Sequence, residues 1–211
     1  MSKYAPDEAT AREDLCRFLS ACFYEPAPEF AEEGLFDSML AAATRLDPEL
    51  ADLARQLGFD FAAQDLQTLL VDYTSLFLGP IEAKAKPYGS IWKNSPSPME
   101  GNPNLAVLDL YSEGGFEIDD DFRELPDHVA VELEFLYLLN FNSNKAKAEG
   151  KVEDAAAMVS LTHRFLDEHL GAWIGPFASA VNVGAKTSFY GTLAKLTKRF
   201  VRMQAAAVEM H

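Results

Sequence analysis

The residues best placed to do chemistry are Glu124-Leu125-Pro126-Asp127-His128, with Glu132 shortly after them. His128 and Glu132 are four apart and so share a helical face. A carboxylate-paired imidazole there is a proton-sensitive hydrogen-bonding group. Asp127 is expected in the first helical turn, where free amides and the helix dipole stabilise a carboxylate. The plainer reading is that Glu124, Pro126 and Asp127 simply start a helix. As a metal site the block is half complete, because His163 and His169 are six apart and His211 is terminal. Nucleophilic catalysis finds little support: there is no G-x-S-x-G, and neither Cys16 nor Cys22 has an evident partner histidine. G-x-x-x-x-G-K-[ST] and G-x-G-x-x-G are absent too. No catalytic residue and no metal ligand is assigned, and the chain is not expected to be an enzyme. The rival is a nucleotide- or metal-dependent hydrolase using Glu124, Asp127, His128 and Glu132.

A second set of candidates lies in residues 79–103, a stretch with five prolines beyond Pro80 or at it and no helical period. Large side chains in and beside such a loop, among them Phe77, Pro87, Tyr88 and Trp92, can line a groove for a peptide. They can equally fold back onto their own bundle. A third set, Lys186, Lys195, Lys198, Arg199 and Arg202, sits on the last helix and reads as a solvated basic face.

The elements that must hold these residues are helical nearly throughout. Leu15, Phe18, Leu19, Cys22 and Phe23 recur at three-and-four spacing before Pro26 and Pro28 end the first helix. Phe30, Phe36, Met39, Leu40 and Ala43 suggest a second helix. Asp47 and Pro48 open a third, with Gly58 as its stop. Leu66 to Phe77 forms a fourth, closed by Gly79-Pro80. Asn102-Pro103 starts a short helix that Gly114-Gly115 stops. Pro126 opens a helix apolar on nearly every side, which is expected to be central and buried. Further helices are expected over roughly 152–170 and 187–207, with a short turn of helix near Gly175 to Val181 between them. The expected fold is all-α, a bundle of about eight to ten helices. An N-terminal part, 1–112, and a C-terminal part, 125–211, flank an acidic hinge at 113–124.

The chain has 211 residues and a formal charge of −15. That charge belongs to the first two-thirds: −9 over residues 1–70, −9 over 71–142 and +3 over 143–211. Its densest part runs from Glu113 to Glu134, around the candidate block. Such acidity argues against binding nucleic acid or an anionic membrane surface and favours a cationic partner. No signal peptide is evident at the N-terminus, and no apolar run reaches the length of a membrane span. Two cysteines six apart fit neither a zinc spacing nor a redox pair, so Cys16 and Cys22 are expected to be buried thiols in a reducing compartment.

Several blocks, taken in order, resemble a known family. Glu124 to His128 is similar to the E-x-P-D-H motif of the TorD/DmsD/NarJ-type chaperones for molybdenum oxidoreductases, the redox-enzyme maturation proteins. Tyr73-Thr74-Ser75-Leu76-Phe77-Leu78-Gly79-Pro80, continuing to Pro87-Tyr88-Gly89-Ser90-Ile91-Trp92, resembles that family's LF-x-GP and P-aromatic-x-S stretch. His169-Leu170 with Trp173 and Phe177, then Phe189-Tyr190 and Leu193-Ala194, make a third block, and the likeness covers roughly residues 12–202. The resemblance implies an all-helical cytoplasmic chaperone of anaerobic respiration. Such a protein binds the twin-arginine leader and the apo form of a molybdoenzyme catalytic subunit, aids cofactor insertion and delays export until folding is complete. By the same resemblance, Glu124, Pro126, Asp127 and His128 become candidates for signal-peptide contact, with Tyr73, Phe77, Pro87, Tyr88, Ser90 and Trp92 as the neighbouring groove. It also implies a monomer or a hinge-swapped homodimer. No cofactor is expected, and contact with guanine nucleotide or molybdopterin is implied by the resemblance alone.

Overall fold

The computed structural model describes residues 6–79, 83–93, 103–118 and 124–208, with backbone alone at 103–105 and 208. Helices α1 (Glu8–Cys22), α2 (Glu29–Glu32), α3 (Leu35–Leu46), α4 (Pro48–Ala62) and α5 (Leu66–Tyr73) come first. The last of these runs on as a π-helical turn, Thr74–Leu78. Then follow α6 (Gly89–Trp92), α7 (Pro103–Glu113), α8 (Val129–Ala148), α9 (Val152–Glu168), α10 (Leu170–Gly184) and α11 (Ser188–Val208). The all-α expectation holds, and there is no β-strand among the described residues. The eleven α-helices among the described residues exceed the eight to ten expected because the second predicted helix is split and the loop holds a one-turn helix of its own.

Local chemistry accounts for most boundaries. Asp7, Asp47 and Asp65 each accept a hydrogen bond from the backbone N–H three residues on, at 2.8, 3.0 and 2.8 Å. Caps of this kind are worth about 1 kcal/mol apiece. Gly34, at φ +71°, separates α2 from α3. Gly58 does not stop α4, which continues to Ala62. A Cβ there would meet the Cβ of Phe36 at 3.2 Å, so this glycine serves the close approach of α3 and α4. The short turn expected near Gly175 is a full helix, α10, with Pro176 inside it. Burial of Leu170, Trp173, Ile174, Phe177, Ala178 and Val181 outweighs the poor helix propensity of its glycines and proline.

The first half of α8 is buried on nearly every side, through Val129, Ala130, Val131, Leu133, Phe135, Leu136 and Leu139. One apolar core runs from Ala11 in α1 to Val201 in α11 and takes in Trp173, Phe177 and Tyr190. Polar bonds cross between the early and late helices as well. Asp72 accepts from the backbone N–H groups of Lys186 and Thr187 and from the Thr187 hydroxyl, which caps the start of α11. Asp60 accepts from Thr192 at 2.6 Å. Arg199 pairs with Asp47 and Glu49, so part of the basic last helix is engaged within the fold. Of the acidic segment 113–124, residues 119–123 lie outside the described residues; Glu113 pairs with Arg164, and Phe116 and Ile118 pack on the core. Cys16 and Cys22 are buried free thiols, with burial pushing both pKa values up.

Candidate functional site

The two blocks that carry the candidate residues are joined backbone to backbone. Tyr88 and His128 form an isolated antiparallel bridge. Around it the Gly89 N–H donates to the Asp127 carbonyl at 2.9 Å and the Val129 N–H to the Pro87 carbonyl at 2.8 Å. The Asp127 side chain completes the join: its Oδ2 accepts the Ser90 N–H at 2.7 Å, at the start of α6. The Tyr111 hydroxyl donates to the Pro126 carbonyl at 2.7 Å, tying α7 to the same turn. Gly89 is needed here, since a Cβ would stand 2.8 Å from Trp173 Nε1. That indole N–H donates to Glu132 Oε2 at 3.0 Å.

This sets the site's inner layer. Asp127 and Glu132 are 2% and 0% exposed. Asp127 Oδ1 and Glu132 Oε1 are buried without a hydrogen-bond partner among the described residues. Burial drives the pKa of Glu132 well above the ordinary carboxylate range, against the Trp173 hydrogen bond, and the nearby Asp127 adds to the rise. The neutral acid is therefore favoured at that position.

The outer layer is built round His128. The helix starts at Val129, three residues later than a Pro126 start implies, so His128 is the N-cap of α8. Its Nδ1 accepts the Ala130 N–H at 3.2 Å. Asp127 is thus outside the first helical turn, and the expected His128–Glu132 pairing is replaced by the two separate bonds to Ala130 and Trp173. The imidazole ring stacks on Tyr24 at 6.0 Å and meets Tyr88 edge-on at 5.3 Å. Burial lowers its pKa, and Glu124 and Asp127 oppose that effect. Each of the two tyrosines holds a carboxylate. Tyr88 donates to Glu124 Oε2 at 2.9 Å, and Tyr24 donates to Glu134 Oε1 at 3.2 Å. The Ser20 hydroxyl also donates to Glu134 Oε1, at 3.0 Å. Burial, then Glu124, pushes Tyr73 and Tyr88 up to about 12. Glu124, Glu134, Tyr24 and Tyr88 are all partly exposed, and Ile91 and Leu125 beside them are 53% and 48% exposed.

The candidate residues therefore divide by depth. Ser90 is exposed, and Glu124, Tyr88, Pro126 and Trp92 reach the surface in part. Pro87, Asp127 and His128 are buried at the join. Tyr73 is nearly buried, and Phe77 is packed among Phe23, Tyr73, Phe177 and Tyr190, where it offers no groove wall. Trp92 donates to the Lys86 carbonyl at 2.8 Å. The loop beyond it, 94–102, lies outside the described residues. The hydrolase cluster does not converge: Glu124, Asp127, His128 and Glu132 are directed to Tyr88, Ser90, Ala130 and Trp173 respectively. Sequence reasoning passed over Tyr24 and Glu134. A charged residue in the most apolar helix was the available signal for the second. Nothing local marked the first, which reaches the site from just past the end of α1.

The family model described as nitrate reductase delta subunit matches residues 41–179. A chaperone protein TorD from Vibrio cholerae serotype O1 (strain M66-2) is 27% identical over 199 residues, covering 90% of this chain and 89% of the relative. The chaperone protein TorD of Shewanella loihica is 28% identical over 184 residues, covering 84% and 80%. A crystal structure described as a redox enzyme maturation protein from Archaeoglobus fulgidus superposes with a TM-score of 0.53 at 24% identity, over 90% of this chain and 93% of that one. At that identity the superposition speaks for the fold.

Proposed function

From the premise that the chain belongs to the nitrate reductase delta subunit family, among the TorD-type redox-enzyme maturation chaperones, we propose that it binds the twin-arginine leader of a molybdenum oxidoreductase. In this reading it holds the apoenzyme for cofactor insertion in the cytoplasm and delays export until folding is complete. The observation that carries it is the pair of partly exposed carboxylates, Glu124 and Glu134, each held by a tyrosine that touches His128.

Each carboxylate has a second oxygen with no hydrogen bond to a described residue. A guanidinium pairs best with a carboxylate whose position is already fixed, because less freedom is lost on binding. Tyrosine faces beside it add cation–π attraction. The leader's arginines approach Glu124 and Glu134, and its apolar stretch lies along Ile91, Leu125 and Trp92. Asp127 and His128 act behind them, by fixing the join that sets Tyr88 and Glu124 in place. The acidity of residues 113–134 steers the cationic peptide inward.

No helix among the described residues is long and apolar enough to cross a membrane. The proposal needs no cofactor and no nucleic acid, and either a monomer or a hinge-swapped dimer would present the same site. Titration calorimetry with a synthetic leader tests it. Binding should weaken with added salt and by at least about tenfold when the arginine pair becomes a lysine pair, which keeps the charge but loses bidentate pairing. Equal affinity for the two peptides would overturn the assignment.

A further inference from the structure

A second polar site lies away from this one, between α1, α8, α9 and α11. A cavity of about 320 Å³ there is lined by Arg12, Asn140, Ser143, Lys147, Thr162 and Gln204, among others. After its apolar first half, α8 turns polar on this side: Asn140, Ser143, Asn144 and Lys147 recur at three-and-four spacing. Some of these groups are satisfied. Asn140 donates to the Leu136 carbonyl, Thr162 to the Met158 carbonyl, and Asn144 to Glu13.

Two are not. Gln204 is 3% exposed, and its Oε1 accepts from Arg12 Nη1 at 3.2 Å, which fixes which end of the amide is which. Its Nε2 has no partner among the described residues. Ser143 is 6% exposed, and its Oγ is also without one. A helical serine commonly back-bonds to the carbonyl four residues before it, and this one does not. Buried polar atoms are seldom left unpaired in a native protein. Two facing one cavity point to an occupant.

The open valences define its chemistry. An amide N–H and a hydroxyl are both able to donate, and Lys147, one turn after Ser143, forms no salt bridge with a described residue. Arg12 is already held by Glu8 at 2.7 Å, and that carboxylate also lines the cavity, so the complement is a small anion placed on the Ser143–Gln204–Lys147 side. The volume is far more than two hydrating waters need, at about 30 Å³ each, and lies at the lower end of ordinary ligand pockets. We propose that this cavity binds a small oxyanion-bearing molecule, a carboxylate or a phosphate, through Gln204, Ser143 and Lys147.

Calorimetry with inorganic phosphate and with succinate tests this on the full chain. At least one should bind saturably, and which one does identifies the source. Ser143→Ala and Lys147→Gln should each weaken binding by about fivefold or more, and Gln204→Glu should abolish it. Glu124→Gln should leave it unchanged, because the leader site is separate. Ser143→Ala removes a single oxygen, so it remains informative where Gln204→Glu impairs folding. No saturable binding of either anion, or binding unaltered in Ser143→Ala and Lys147→Gln, overturns the proposal.

Discussion

The inner and outer layers of the Glu124–His128 region are built from neighbouring residues and behave differently. In the inner layer Asp127, Glu132, Trp173 and Gly89 are buried and directed at one another or at backbone. In the outer layer Glu124, Glu134, Tyr24 and Tyr88 are partly exposed, and each carboxylate keeps an oxygen with no hydrogen bond to a described residue. The difference teaches that a five-residue motif can hold two functions at once. Its aspartate fastens two segments together; its glutamate, in the proposed reading, is left to meet a partner. Substitutions should separate them, with stability lost from the inner layer and affinity from the outer.

The sharpest way to break the inner layer is Trp173→Ala. It empties a fully buried indole site and leaves Glu132 without its donor, so a loss of about 3–5 kcal/mol is expected in urea unfolding. Asp127→Ala comes next. It leaves the Ser90 N–H without its acceptor and should cost about 1–3 kcal/mol, with leader affinity falling as the join loosens. Its thermal midpoint should drop clearly, unlike that of an outer-layer variant. Glu132→Gln should be the mildest of the three, because the neutral acid and the amide are close in shape. Its pH dependence is the informative part. A raised carboxyl pKa means the folded state holds a proton that the unfolded state releases above the ordinary value. Stability from this group is therefore complete below that value and is lost as pH rises towards the folded pKa. Glutamine carries no such loss, so the melting temperature of Glu132→Gln relative to the natural protein should rise as pH increases from the ordinary carboxylate range to neutrality and above. Scanning calorimetry across that range checks the sign.

Much of the fold was legible because it rests on local signals. Apolar residues at three-and-four spacing gave α1, and an apolar run behind Pro126 gave α8, while Asp47-Pro48 and Gly114-Gly115 gave a start and a stop that the structure keeps. What was not legible depended on distant partners. Gly58 reads as a helix stop until Phe36 packs against it. The sequence around Pro176 reads as broken until six of its neighbours in α10 are buried. The site divided in the same manner. The motif marked where it lies, but the roles inside it were set by residues far along the chain: Ser90 for Asp127, Trp173 for Glu132, and Tyr24 for His128 and Glu134. A helix start at Pro126 was a reasonable local reading, yet the bridge to Tyr88 keeps His128 extended and delays the helix to Val129.

In the proposed function the outer carboxylates read the leader while the inner ones hold the fold. Calorimetric titration of a twin-arginine leader peptide into the Glu124→Gln, Glu134→Gln double variant tests it most directly. Binding should weaken by about tenfold or more, as expected for lost charge-assisted pairs, with a melting temperature close to that of the natural protein. Unchanged affinity in a folded double variant would contradict it.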